Sequence, residues 1–180
     1  MTRASWFVGL VVSAPTLSDA LATSPAHVRL QHGDDLHATL AFLGSVSEDA
    51  AHAGWRALSI ALAPRDVVLG RVVPLGSEKN PSALAALMDD AAIRDAIGSA
   101  RDAICDAAKA ARELRPPLAH LTLARLVKGA TPDERQVALA WAAELTLDLV
   151  PSRIERVALY TSAADRTERR YRIVASRARL

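Results

Sequence analysis

The sequence predicts an α+β fold of two similar lobes related by a pseudo-twofold axis, and three observations lead there. Strand-like and helix-like segments are interleaved without the short, regular βαβ alternation that builds a parallel sheet. The pentapeptide His37-Ala38-Thr39-Leu40-Ala41 returns, with one difference, as His120-Leu121-Thr122-Leu123-Ala124 almost half the chain later. Each copy lies in a strand-like stretch that runs into a glycine and then a helix with capping residues at its start. One strand–turn–helix unit is therefore used twice, within a single two-lobed domain over 1–180.

Composition is consistent with that reading. The chain has 180 residues, of which 51% are hydrophobic and only 4% aromatic. A chain of this size buries roughly 70% of its unfolded surface. Alanine supplies much of the apolar fraction, which favours close-packed helices with small side chains.

The elements follow in order. Ser5 to Val12 is rich in aromatic and β-branched residues and reads as a strand, stopped by Ser13-Ala14-Pro15. Thr16 to Ala22 suits a short helix, and His32-Gly33-Asp34-Asp35 a turn. Leu36 to Leu43 is a buried strand closed by Gly44. Ser45 and Glu48 have capping-box spacing, predicting a helix through Leu62. Asp66 to Leu75 alternates as a strand, and Ser77-Glu78-Lys79-Asn80-Pro81 is a loop. Ser82 to Met88 fits a strand or the start of a helix.

From Asp89 to Arg112, Ile93, Ile97, Ala100, Ile104 and Ala108 recur at helical spacing, and Pro116-Pro117 ends the run. Leu118 to Val127 is a strand. Thr131-Pro132-Asp133-Glu134 places a cap, a proline at the first helical position and a glutamate at the third, opening a helix to Glu144. Leu145 to Val150, Ile154 to Thr161 and Tyr171 to Ala175 read as closing strands.

Several function classes drop out. No apolar run approaches the roughly 20 residues that span a bilayer. The start, Met1 to Phe7, carries no charged segment followed by a signal-length apolar stretch. Cys105 is the only cysteine, so neither a disulfide framework nor a thiolate metal cluster is expected. No glycine-rich phosphate loop is present. A cytoplasmic monomer is the expectation. The net charge is +2, but Pro151 to Leu180 holds eight arginines against Glu155, Asp165 and Glu168. Guanidinium groups suit a phosphate-bearing partner, and the alternative is a solvated face.

The repeat carries the chemistry. Strand side chains alternate, so His37, Thr39 and Ala41 share one face, and Ala38, Leu40 and Phe42 point into apolar packing. His120, Thr122 and Ala124 do the same in the second copy. Two such strands facing each other build a pocket with two imidazoles and two hydroxyls. Histidine titrates near 6.5, so one member can accept a proton while the other donates. Threonine hydroxyls can donate to the non-bridging oxygens of a phosphate. A phosphodiester is the substrate this set fits.

Residues outside the repeat carry weaker signals. Arg125 falls on the face opposite His120 unless the strand bulges or ends before it. His27, His32, Asp34 and Asp35 cluster in sequence, but their spacing matches no helical ligand pair, and no metal and no cofactor are expected. His52 should face solvent from an alanine-rich helix, and Cys105 should be buried and inert. Trp6, Phe7, Tyr160 and Tyr171 are open to core packing or to stacking on a nucleobase.

With these motifs the sequence resembles the two-histidine phosphoesterases, closest to the bacterial RNA 2′,3′-cyclic phosphodiesterases, also called 2′-5′ RNA ligases. The family's paired His-x-Thr-x motifs match His37 to Leu40 and His120 to Leu123, and its Ala-Phe-Leu-Gly continuation matches Ala41-Phe42-Leu43-Gly44. Its arginine five residues after the second histidine matches Arg125. Two departures stand out: Arg169-Arg170-Tyr171 replaces a Gly-Pro-x-Tyr type turn, and Ser82 to Met88 lacks the usual aromatic residue.

The resemblance implies two antiparallel sheets flanking a central cleft, with helices outside. It implies catalysis by His37 and His120, phosphate binding by Thr39, Thr122 and Arg125, and hydrolysis of a 2′,3′-cyclic phosphate to a 2′-phosphomonoester without metal. His120 would activate the water and His37 would protonate the departing 3′ oxygen. Implied partners are RNA ends or cyclic-phosphate nucleotides, with 2′-5′ joining of RNA as a side activity. The competing readings are a phosphodiesterase for another cyclic nucleotide or cyclic oligonucleotide, and a non-catalytic RNA-binding module.

Overall fold

A computed structural model of the chain describes residues 4–77, 80–167 and 169–178. Met1 to Arg3, Glu78 and Lys79 of the expected loop, and Glu168, Arg179 and Leu180 of the arginine-rich segment lie outside the described residues. The element order is β1 (Trp6–Ser13), α1 (Leu17–Ala20), β2 (Val28–Leu30), a 3₁₀ turn (Gly33–Asp35), β3 (His37–Gly44), α2 (Glu48–Ala57), β4 (Arg65–Val67), β5 (Leu69–Gly76), β6 (Pro81–Met88), α3 (Ala91–Ala107), β7 (His120–Leu126), α4 (Pro132–Glu144), β8 (Ser152–Ser162) and β9 (Tyr171–Arg177).

The strands form two antiparallel sheets, as expected for the α+β class. One has the order β3-β1-β8-β4 with β9 also on β8, and the other β2-β7-β6-β5. In both, the strand carrying a motif pairs with an apolar strand (β1 or β6). β1 pairs in turn with β8, from the far end of the sequence, and β6 with β5, its neighbour in sequence. Helices α2 and α3 pack against the first sheet and each other, and α4 packs against β5. The α2–α3 approach is close because of Gly54, where an added Cβ would lie 2.9 Å from the Ile104 carbonyl oxygen. Among the described residues, no helix is long and apolar enough to cross a membrane.

Local chemistry explains most boundaries. The α4 capping box is complete: the Glu134 amide donates to Thr131 Oγ1 (3.2 Å) and the Thr131 amide to Glu134 Oε2 (2.7 Å). The α2 cap is Ser47 rather than Ser45, its hydroxyl accepting from the Ala50 amide. Helix α3 stops at Ala107, before Arg112, because Lys109 takes a left-handed conformation with φ 53°. The Ala110 amide then donates to the Cys105 carbonyl and the Lys109 amide to that of Asp106, a Schellman closure. Left-handed backbone costs a residue with a side chain roughly 1 kcal/mol. Lys109→Gly is expected to raise the thermal midpoint by a few degrees, measurable by differential scanning calorimetry.

Three expectations need correction. Asp66 to Leu75 is not one strand: β4 pairs with β8 in one sheet and β5 with β6 in the other, and the chain changes sheets at exposed Val68. The helix expected to reach Leu62 ends at Ala57, after which Leu58, Ile60 and Leu62 alternate into the core as extended chain. Leu145 to Val150 forms a turn anchored by buried Leu147, not a strand. Ser82 to Met88, left open by its sequence, is strand β6.

Candidate active site

Register decides which side chains reach the cleft. Along β3, Val11 pairs with His37, Leu10 with Ala38 and Gly9 with Thr39, but Val8 pairs with Ala41 and Phe7 with Phe42. Leu40 is the extra residue of a β-bulge. Along β7, Leu87 pairs with His120, Ala86 with Leu121 and Ala85 with Thr122, but Leu84 pairs with Ala124 and Ala83 with Arg125. Leu123 is the extra residue, at the same place in the second motif.

The bulges reset the alternation. Leu40 and Ala41 both turn into the core, as do Leu123 and Ala124. Residues directly opposite across an antiparallel pair share a face. Phe42 therefore joins His37 and Thr39, and Arg125 joins His120 and Thr122. Phe42, expected to point into apolar packing, is 58% exposed on the cleft face. Ala41 and Ala124, expected beside the histidines, are buried instead. Opposite the two threonines stand Gly9 and Ala85, small residues that leave space.

Both imidazoles are held alike. His37 Nδ1 donates to the Asp35 carbonyl (2.6 Å) and His120 Nδ1 to the Leu118 carbonyl (2.8 Å). A carbonyl only accepts, so each Nδ1 carries the proton and each Nε2 keeps the free lone pair. Their surroundings differ. His37 packs against Phe7 (centroids 4.5 Å apart), Tyr160 (5.3 Å) and the edge of Tyr171 (5.4 Å). Burial among these rings lowers its pKa to about 4, with the hydrogen bond to Asp35 and that residue's charge opposing. The charges of His120 and Arg125 lower it further, so all three groups act within one electrostatic site.

The aromatic residues left open by the sequence thus go to packing. Phe7 and Tyr160 are buried and stacked 4.6 Å apart, and burial pushes the Tyr160 phenol well up. Trp6 faces the main core.

The low His37 pKa has a consequence for stability. In the unfolded chain histidine titrates near 6.5, so between about pH 6.5 and 4 the unfolded state binds more protons. The stability this residue contributes at neutral pH is therefore lost as pH falls through that window, by at most about 3 kcal/mol. Urea titrations should show a steeper loss over this range in the parent than in His37→Gln.

Asp35, weighed in the sequence only among possible metal ligands, lies behind His37. Its side chain is 1% exposed, and Oδ2 accepts from the Arg170 amide at 2.7 Å. The Arg169 guanidinium lies alongside, with Nε 3.7 Å from Oδ1. The carboxylate thus ties the β8–β9 connection to the turn whose carbonyl orients His37. Its only signal in sequence is an acid two positions before the motif. Removing a buried acceptor costs about 1–3 kcal/mol. Asp35→Ala should lose stability of that order in thermal or urea unfolding, and Asp35→Asn should recover most of it.

The other candidates have structural surroundings. The Asp34 amide donates to His32 Nδ1, capping the 3₁₀ turn. His52 sits 3.9 Å from Glu48, half-buried rather than fully solvent-facing. Cys105 is buried, and its thiol pKa is raised by burial and by Asp102. Among the described residues no three His, Cys, Asp or Glu side chains are grouped to hold a metal.

The arginine-rich segment is partly consumed by the fold. Arg153 pairs with Asp66, and Arg177 donates to the Leu58 carbonyl and covers Trp55. A cavity of about 1000 Å³ adjoins the site beyond Val11 and Ile173, with Arg156, Arg169 and Arg172 in its wall.

No family model matches the sequence, and no curated protein does. Solved structures match across nearly the whole chain. E. coli LigT complexed with 3′-AMP is 19% identical, with a TM-score of 0.67 over 98% of each chain. A phosphoesterase crystal structure is 19% identical, with a TM-score of 0.66 over 98% of each chain. TT0787 of Thermus thermophilus is 19% identical, with a TM-score of 0.63 over 96% of each chain. This chain shares their fold.

Proposed function

We propose that the two halves of one two-lobed domain build a two-histidine phosphodiesterase that opens a 2′,3′-cyclic phosphate, at RNA ends or on nucleotides, to a 2′-phosphomonoester. The observation that carries this reading is the matched pair of imidazoles. Each is fixed through Nδ1 to a carbonyl two residues upstream and left with Nε2 free, beside a threonine on the same strand face. A pure binding module needs no such pair of titrating groups. The shared fold with a protein seen in complex with 3′-AMP supports a nucleotide substrate.

His120 Nε2 takes a proton from water as its oxygen attacks phosphorus. The P–O3′ bond breaks, and His37 Nε2 gives its proton to the 3′ oxygen. Thr39, Thr122 and Arg125 donate to the non-bridging oxygens, where charge gathers. Exposed Phe42 offers a face for the terminal base. A 5′-hydroxyl attacking phosphorus in place of water, with the same P–O3′ bond breaking, gives 2′-5′ joining as a side activity.

The acid role asks for a protonated His37, and burial lowers its pKa to about 4. The phosphodiester anion supplies the difference. A unit charge about 4 Å away at an effective dielectric near 20 is worth about 4 kcal/mol, or about three pKa units. His37 then titrates near neutrality only when substrate is bound. Calorimetric titration with sulfate at pH 5.5, in buffers of different ionisation enthalpy, should show uptake of most of one proton. Zero uptake would remove the acid assignment.

Turnover of 2′,3′-cyclic mononucleotides, cyclic-phosphate-ended RNA and cyclic dinucleotides, with products identified by phosphorus NMR, tests the whole reading. A predominant 3′-phosphate would exclude the assigned roles, and inertness toward every member would leave a binding module. Activity should also survive prolonged treatment with a strong chelator. Loss on chelation, restored by one divalent ion, would replace this mechanism with metal hydrolysis.

A further inference from the structure

Strand β2 is three residues long and is bonded only along β7, with Val28 opposite Leu126, Arg29 opposite Arg125 and Leu30 opposite Ala124. Val28 and Leu126 are both buried in the core. The intervening pair must then project to the other face, which the β7 bulge has made the face of His120 and Thr122. Two arginines thus occupy directly opposite backbone positions on one sheet face. Like charges in that relation destabilise a sheet.

Among the described residues neither arginine forms an ion pair, and Arg125 Nε is shielded from solvent without a hydrogen-bond partner. Ala83 flanks Arg125 on its other side, so no bulky group fills the space. An uncompensated cationic pair on a substrate-facing wall is the arrangement that a bound anion completes.

Resting on the function proposed above, we infer that the pair spans two phosphates: Arg125 holds the reacting cyclic phosphate, and Arg29 beside it clamps the phosphate at the 5′ position of the same nucleotide. Four ladder steps separate the His120 and Arg125 pairings, about 14 Å between Cα atoms at 3.4 Å per step. One nucleotide fits that span with arginine side chains reaching back toward it. The 5′ phosphate has two chemical sources: the next linkage of an RNA chain, or a free 5′-monophosphate.

Arg29→Gln tests this, because an exposed edge residue can lose its charge without loss of fold; thermal unfolding checks that. Three substrates are compared: a cyclic mononucleotide with a 5′-hydroxyl, the same with a 5′-phosphate, and a cyclic-phosphate-ended trinucleotide. The parent should favour the two 5′-phosphorylated substrates at least about 10-fold in kcat/KM. Arg29→Gln should reduce that preference about 10-fold. A trinucleotide effect without a 5′-monophosphate effect assigns the clamp to chain linkages, and equal effects assign it to any 5′ phosphate. Equal losses on all three substrates, or no loss on any, would overturn the proposal.

Binding gives a readout independent of turnover. Anisotropy with a fluorescent 3′-phosphorylated trinucleotide, across a salt series, should show a slope shallower by about 0.7 in Arg29→Gln. If the parent turns over none of the substrates, the catalytic reading fails and this arm still decides the clamp. Unchanged affinity and slope, or no binding by the parent, would overturn it.

Discussion

His37→Ala and His120→Ala are each expected to lower kcat by at least about 100-fold while leaving the fold intact. Each imidazole makes one hydrogen bond to a local carbonyl and otherwise faces the cleft, so its loss opens no large cavity in the main core. His37 is the more enclosed, between Phe7, Tyr160 and Tyr171. His37→Gln serves as its better-filled control. Because proton transfers at the attacking and leaving oxygens occur in one displacement, the double variant should fall well short of the product of the two single losses. Steady-state rates on the best substrate, with thermal unfolding alongside, provide the check. Near-normal turnover by either single variant would end the paired mechanism.

Arg125→Ala should lose about 100-fold in kcat/KM, in the range for removing a preorganised donor to developing charge. Arg125→Lys should restore only part of that, since an ammonium lacks the planar fork that matches two phosphate oxygens. A second readout needs no substrate. The Arg125 charge is one of those lowering the His37 pKa. Its removal must therefore raise that pKa, which NMR titration of the ring protons would record. Unchanged kinetics with an unmoved His37 titration would take Arg125 out of the site.

Much of this site was legible because its marks are local. The two motifs, the Thr131 box, the proline stop and the Ile93–Ile104 stripe all depend on neighbours in sequence. The bulges were not legible by simple alternation, because Ala41 and Ala124 fit either face of a sheet. A trace remains in the leucines: Leu121 and Leu123 are two apart but Leu126 is three further on, and Leu40 is followed by Leu43. That step from two to three is the core-side record of the extra residue. The parting of β4 from β5 left no such trace, since it follows from pairing with a strand far away in the chain. Asp35 was hidden for the same reason, its partner being the amide of Arg170.

The exchange of strands between the sheets bears on how the protein comes into being. The sheet that carries His37 needs β8, which lies near the end of the chain, and the sheet that carries His120 needs β5 from the first half. Neither half closes its own sheet. On the ribosome, β1 and β3 emerge early with an open edge that stays unpaired until residues 152–162 have left the exit tunnel. Such distant pairing slows folding, because loop-closure entropy is spent before the contacts form. It also makes the active centre an all-or-none product of synthesis. A nascent or truncated chain lacking β8 holds both histidines but lacks the central strand of the sheet that carries His37.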